Sequence, residues 1–280
     1  MYTINRHRIT GAAALRRGPM FAVIAALTTL GMAPDSVAAE APSKPAGYSI
    51  DGVDVSKHQH PNGAAIDWSK VKAAGVEFAT VRATRGINRT DQNLKTDLEA
   101  AQNAGLAVAP YHFFTGTDNN EGDSSHNTTG DQQADKFIMA VREAGYTGQR
   151  RGDLPPVLDL EIVDVAPNRG KCPEKISVAS AVADVKGWLD KVEATFKRKP
   201  IIYTSKVFMH DCLKDNTAFA AYQLQVADWS SKDKPALPKG STTWTMWQYT
   251  DKATRDGITN PVTADVFHGT QSDLNSLANR

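Results

Sequence analysis

Two acids interrupt an apolar run in LPPVLDLEI, residues 154–162: Asp159 and Glu161 stand among Val157, Leu158, Leu160 and Ile162. A run of this kind after two prolines reads as a short buried strand, where an ionised carboxylate is costly unless paired or put to use. Side chains alternate along a strand, so Asp159 and Glu161 share one face and Leu158 and Leu160 take the other. Charge on one carboxyl then raises the proton affinity of its neighbour, and aromatic walls strengthen the effect. Glycoside cleavage needs that separation: one carboxylic acid protonates the leaving oxygen while a second group stabilises the oxocarbenium-like centre. Glu161, with the longer reach, is the expected general acid.

An acid pair needs a frame, and the rest of the chain supplies a repeating one. Strand-like segments recur as YSIDGVDVS, EFATVRAT, LAVAPYHFF, PPVLDLEI, KPIIYTS, YQLQVADWS, TTWTMWQYT and ADVFHG. Between the early ones lie the helical patterns DWSKVKAAG, QNLKTDLEAAQNAG, GDQQADKFIMAVREAG and VASAVADVKGWLDKVEATF, several closed by a glycine. Alternating strands and helices favour a parallel sheet, and about eight strands favour a closed β/α barrel with little helix between the last strands. No G-x-G-x-x-G or Walker-type loop follows the first strand, which counts against a nucleotide-binding sheet. Reactive residues of such barrels gather at the C-terminal strand ends. Asp54, Tyr111, Phe113, Asp159, Glu161, Tyr203, Asp228, Trp229 and Gln248 all fall there on this reading.

Arg6, Arg8, Arg16 and Arg17 precede the mostly apolar run 20–33, and the small-residue segment SVAAEA follows it. Residues 1–39 therefore read as a secretory signal, 40–48 as a linker and 49–280 as one catalytic domain. Removing residues 1–39 takes away four arginines and one aspartate, moving the formal charge from +1 to −2. A near-neutral chain is not a nucleic-acid binder by electrostatics. A secreted or periplasmic monomer with no membrane association after cleavage is expected. In an oxidising compartment Cys172 and Cys212 would form a single disulfide; the alternative is two free thiols. No Cys/His cluster supports a zinc site, and no EF-hand spacing supports calcium in the tract 116–133.

The segments GVDVSKHQ (52–59), IDWSKVKAAGVEFATVRAT (66–84), AGLAVAPYHFF (104–114), PPVLDLE (155–161), PIIYTS (200–205) and WQYT (247–250) together resemble glycoside hydrolase family 25. That family comprises secreted and phage lysozymes acting as N-acetylmuramidases on peptidoglycan. The resemblance implies a modified TIM-like β/α barrel, peptidoglycan glycan strands as partner, and neither cofactor nor metal. It implies Glu161 as proton donor, Asp159 steadying the 2-acetamido group or the charge it develops, and Asp54 orienting the pair. Tyr111, Phe113, Tyr203, Trp229 and Gln248 match groove-lining positions. The sequence departs from the family at His58, where Trp is frequent, and at Arg85, where Glu is frequent. It departs again in VTADVFHG, which sets Thr263 on the usual acid and Asp265 on the usual Asn. Asp265 is expected either to reach the site by a small shift of its strand, as a fourth catalytic acid, or to replace a structural Asn.

Plainer readings stand beside these. His58 and His60 carry no catalytic role, and His112 alternates away from Tyr111 and Phe113 as a core or supporting group. Trp247 reads as core, and Gln248 on the opposite face as the residue facing the groove. The tract 116–133 reads as a solvated loop at the barrel mouth. Two rival functions remain open from sequence: a chitinase-like or endo-N-acetylglucosaminidase activity, and a glycan-binding barrel that does not cut.

Overall fold

The strands of this chain are short and apolar on both faces, a pattern that requires cover on each side, and the sheet obtains it by closing on itself. The computed structural model describes residues 43–115, 129–161, 172 and 177–280. The strands are β1 (Asp51–Val55), β2 (Val76–Arg85), the two-residue β3 (Arg89–Thr90), β4 (Ala107–Phe113), β5 (Val157–Leu160), β6 (Ile201–Thr204), β7 (Leu224–Ala227), β8 (Met246–Ala253) and β9 (Val262–Phe267). Their spatial order is β1-β9-β8-β7-β6-β5-β4-β2; β1 also pairs with β2 to close the barrel, and β3 is a hairpin on β2.

The expected barrel with helix-poor last strands is what forms. Apart from the β3 hairpin, the expected parallel pairing holds from β1 through β8, but β9 runs antiparallel to both β8 and β1. Only residues 254–261 join β8 to β9, too few for the crossover that a parallel neighbour needs, so the chain turns back.

Helices α1 (Trp68–Ala73), α2 (Leu94–Asn103), α3 (Gly130–Glu143) and α4 (Val178–Phe196) fall in the predicted windows. The short α5 (Lys206–Asp211) and α6 (Gln271–Leu277) were not among them. Side chains of Asp67, Thr129 and Ser177 accept from backbone N–H groups at the starts of α1, α3 and α4, each cap worth about 1 kcal/mol.

Alternation divides the core in two. Val53, Val81, Leu158, Leu160, Ile202, Val226 and Trp247 face outward into a layer shared with Leu98, Phe137, Trp188 and Leu189 of the helices. Ile50, Phe78, Leu154, Ile201, Met246 and Phe267 face inward, and Leu274 and Ala278 at the α6 end join them as a plug. Burying each of the large side chains contributes about 1.5–3 kcal/mol. Gly52 on β1 makes room for the plug: a Cβ there would lie 2.2 Å from the Phe78 ring. One end of the barrel is thus filled by apolar side chains, and the other can hold a site.

Residues 41–280 form one compact unit. The described part of the expected linker lies against the barrel: Pro45 is buried, Lys44 Nζ is 2.8 Å from Asp51 Oδ1, and the Tyr48 ring meets Trp247 edge-on at 5.6 Å. Cys172 and Cys212 are joined in a disulfide, with Cys212 at the C-terminal end of α5. The expected signal segment lies outside the described residues, as do positions 116–128 of the Asn- and Asp-rich tract. Among the described residues no helix is long and apolar enough to cross a membrane.

Candidate active site

An open cleft of about 1760 Å³ occupies the end of the barrel opposite the plug. Sites for single small ligands usually span about 300–1,000 Å³, so this one has room for a length of polymer. Asp54, Tyr111, Phe113, Asp159, Glu161, Tyr203, Trp229 and Gln248 all line it. The parallel strands deliver them as alternation requires. Asp159 and Glu161 leave the inner face at the end of β5, and Asp159 is paired in register with Phe113 of β4 and Tyr203 of β6.

Gln248 ties one wall together. Its Oε1 accepts from Tyr203 Oη at 3.0 Å and from Trp229 Nε1 at 3.2 Å, and its Nε2 points to Asp54 Oδ2 at 3.4 Å. Trp229 keeps 56% of its surface exposed at the rim, a flat apolar face held by one edge. Its loop is anchored by Asp228, whose carboxylate accepts from the backbone N–H groups and hydroxyls of Ser230 and Ser231 and from the Ala236 N–H. Partial burial would raise the proton affinity of Asp228; the bonds from Ser231, Ala236 and Ser230 outweigh it and bring its pKa down to about 2.

The floor behaves differently. Burial, then the charges of Glu161 and Asp54, push the Asp159 carboxyl well above the usual carboxylate range, against the pull of Arg82 and Arg85. Its Oδ1 is buried with no hydrogen-bond partner among the described residues. Asp54 is raised as well, by burial first, then by Asp265 and Glu161, with Arg82 opposing. Burial likewise raises the phenols of Tyr111 and Tyr203 well above their ordinary range, keeping both as neutral donors. The site holds protons on carboxyls at pH values where exposed ones would have lost them.

Arg82 was missed in the sequence reading and is the cation acting on both Asp54 and Asp159. Its signal was available, since Phe78, Thr80 and Arg82 share one face of β2 by the same alternation that paired the acids. Asp91 holds it: Arg82 Nη2 and Nε lie 3.2 and 3.3 Å from Asp91 Oδ2, which also accepts from the Lys57 N–H at 2.9 Å. Beyond Arg82 the β2 strand slips by one residue against β4, which turns Thr84 outward to His112 and sets the Arg85 guanidinium 4.3 Å over the Phe113 ring. His112 is fully buried between Thr84 and Gln133 and stacked on Trp188, in the supporting role expected of it. Trp247 has no exposed surface and donates to the Asp228 carbonyl, so it is core.

Asp265 corrects an expectation. It does not line the cleft; Thr263 does. Because β9 runs antiparallel, each step along it leads away from the cleft. Thr263 pairs with Asp54, while Asp265 pairs with Gly52, two residues deeper and with no exposed surface. No small strand shift brings it to the surface, because a one-residue slip would turn it out of the barrel altogether. Among the described residues no group of three or more His, Cys, Asp or Glu side chains is arranged to hold a metal ion.

A β/α barrel with neighbouring carboxyls at its strand ends and an aromatic-edged cleft has the arrangement that glycoside hydrolases use. Residues 53–258 match the family model described as Glycosyl hydrolases family 25, and the chain belongs to that family. It is 31% identical over 235 residues to Lysozyme M1 of Streptomyces globisporus, spanning 82% of this chain and 71% of that one. It is 30% identical over 239 residues to the uncharacterized protein YegX of Escherichia coli strain K12, spanning 83% and 75%. The crystal structure of the bacterial lysozyme from Streptomyces coelicolor matches with a TM-score of 0.72 at 29% identity, covering 83% of this chain and 98% of that one.

Proposed function

We propose that this family 25 hydrolase is an exported muramidase, cleaving the β-1,4 bond between N-acetylmuramic acid and N-acetylglucosamine in peptidoglycan. The observation that carries the reading is the Asp159/Glu161 pair at the inner-face end of β5, lining an open cleft of about 1760 Å³. Glu161 gives its proton to the glycosidic oxygen as the C1–O bond breaks. The 2-acetamido oxygen of the same sugar closes on C1, so the electron deficit is met from within the substrate. Asp159 takes the amide N–H and stabilises the positive ring. Water then attacks C1 from the opposite face with Glu161 as base, restoring the β-configuration and the enzyme's proton.

Proton holding at Asp159 fits this sequence. When the pair holds a single proton, its transfer from Asp159 to Glu161 arms the acid and frees the negative charge the ring requires. Arg82 limits how far the floor retains protons, and Trp229 and the tyrosines offer faces and hydroxyls to the sugars. Export rests on the Arg-bearing apolar N-terminus and agrees with a disulfide-bonded barrel.

The test is end-group analysis of purified peptidoglycan after digestion and borohydride reduction, read by mass spectrometry. Muramitol ends are expected. Glucosaminitol ends would instead establish an endo-N-acetylglucosaminidase, and no new ends would leave a glycan-binding barrel.

A further inference from the structure

Asp265 is a buried acid that the mechanism above does not use. It sits on the inner face of β9 with no exposed surface, one layer below the floor. Gln225 Nε2 on β7 donates to its Oδ1 at 2.8 Å; Oδ2 has no hydrogen-bond partner among the described residues. Its register partner on β1 is Gly52, which has no side chain to screen it, and on β8 it is Gln248, whose amide reaches Asp54. A polar residue this deep, with one partner and beside the plug, costs stability and invites a functional reason.

We propose that Asp265 is a positioning residue for the hydrolytic site: its carboxylate lies in the layer beneath Thr263 and Asp54, and its negative charge there holds the proton on the acids above. The surroundings allow this. The titratable groups that feel its charge are Asp54 on β1, Tyr203 on β6 and Tyr249 on β8. From β7 it meets the neutral Gln225, and β2 contributes Phe78 and Thr80 to the same interior. Arg82, the cation that opposes the raised proton affinity of Asp54, is itself held by Asp91.

Burial, partly offset by the Gln225 bond, brings the carboxyl's pKa up to about 7. It is neutral in acid and charges as pH passes neutrality, beneath acids whose own hold on protons burial has already raised. A negative charge beneath them raises their proton affinity. The alkaline limb of activity is therefore carried to higher pH than the floor alone would allow.

This inference rests on the hydrolase reading for its kinetic arm only, so the test has two arms. In ¹³C-carboxyl NMR of the substrate-free, isotope-labelled enzyme, Asp265→Asn should lower the titration midpoint of Asp54 by about half a unit to one unit at effective protein permittivities. In kcat/KM profiles on purified peptidoglycan, the same variant should lose its alkaline limb by a similar shift, with the acid limb in place. Gln225→Leu removes the one bond that stabilises the charged form, so it should delay the ionisation of Asp265 and shift the alkaline limb the same way. It also keeps the test open if Asp265→Asn folds poorly. An unmoved Asp54 titration overturns the proposal whatever the enzyme cleaves. A lower but superimposable kcat/KM profile also overturns it and makes Asp265 purely structural.

Discussion

Gln248 and Asp54 meet over β9 from the strands that flank it, β8 and β1, Nε2 to Oδ2 at 3.4 Å, while the same amide's oxygen takes both Tyr203 and Trp229. One neutral side chain thus links a floor acid, a buried phenol and the exposed rim indole. An amide suits the place because it can accept from two donors and still donate to a carboxylate.

Replacing Gln248 with Met keeps volume and removes all three bonds. At about 1 kcal/mol per hydrogen bond, losing the Trp229 anchor alone corresponds to roughly a fivefold weaker hold on glycan. KM on soluble peptidoglycan fragments should rise by at least that factor, and more than kcat falls. An unchanged KM would show that the indole needs no anchor.

Asp265 also predicts a pH signature in stability. Its carboxyl binds a proton more tightly folded than unfolded, with a pKa of about 7 against 3.8. The folded state is therefore not penalised below about pH 4, loses stability as pH rises from there, and bears the full penalty above 7. Asp265→Asn escapes that loss, which is at most about 4 kcal/mol at 1.36 kcal/mol per unit. Any fixed cost of burying the amide is equal at every pH. The difference in Tm, variant minus parent, should accordingly grow between pH 4 and pH 8 in calorimetry; a constant difference would contradict the account.

The disulfide gives a third expectation. Cys172 and Cys212 are 40 residues apart, a closure worth about 4 kcal/mol in the chain-entropy model. Reduction, or the Cys172→Ser/Cys212→Ser pair, should lower Tm by several degrees while the cleft acids stay on their strands. Retention of the parent Tm after complete reduction would remove the bridge from the stability account.

Most of the site could be read from alternation alone. Asp159 and Glu161 had to share a face, Gln248 had to oppose Trp247, and His112 had to point away from Tyr111; each does so in the barrel. What escaped was set by chain direction and by local slips, which no strand pattern contains. The antiparallel course of β9 exchanges the depths of Thr263 and Asp265 relative to a parallel reading. The one-residue slip after Arg82 turns Thr84 out and Arg85 in. Arg82 itself was legible by spacing, on the same face of β2 as Phe78 and Thr80. The short α5 and α6 carry too few turns for a helical period to stand out, although α6 plugs the barrel.

The central claim is that Glu161 supplies the catalytic proton, and the most direct measurement is kcat/KM of Glu161→Gln on purified peptidoglycan, taken beside a matched melting temperature. General acid catalysis is typically worth about 10²- to 10⁴-fold, so the variant should fall by that much with Tm within a degree or two of the parent. A folded Glu161→Gln enzyme that hydrolyses the wall at close to the parent rate would contradict the account.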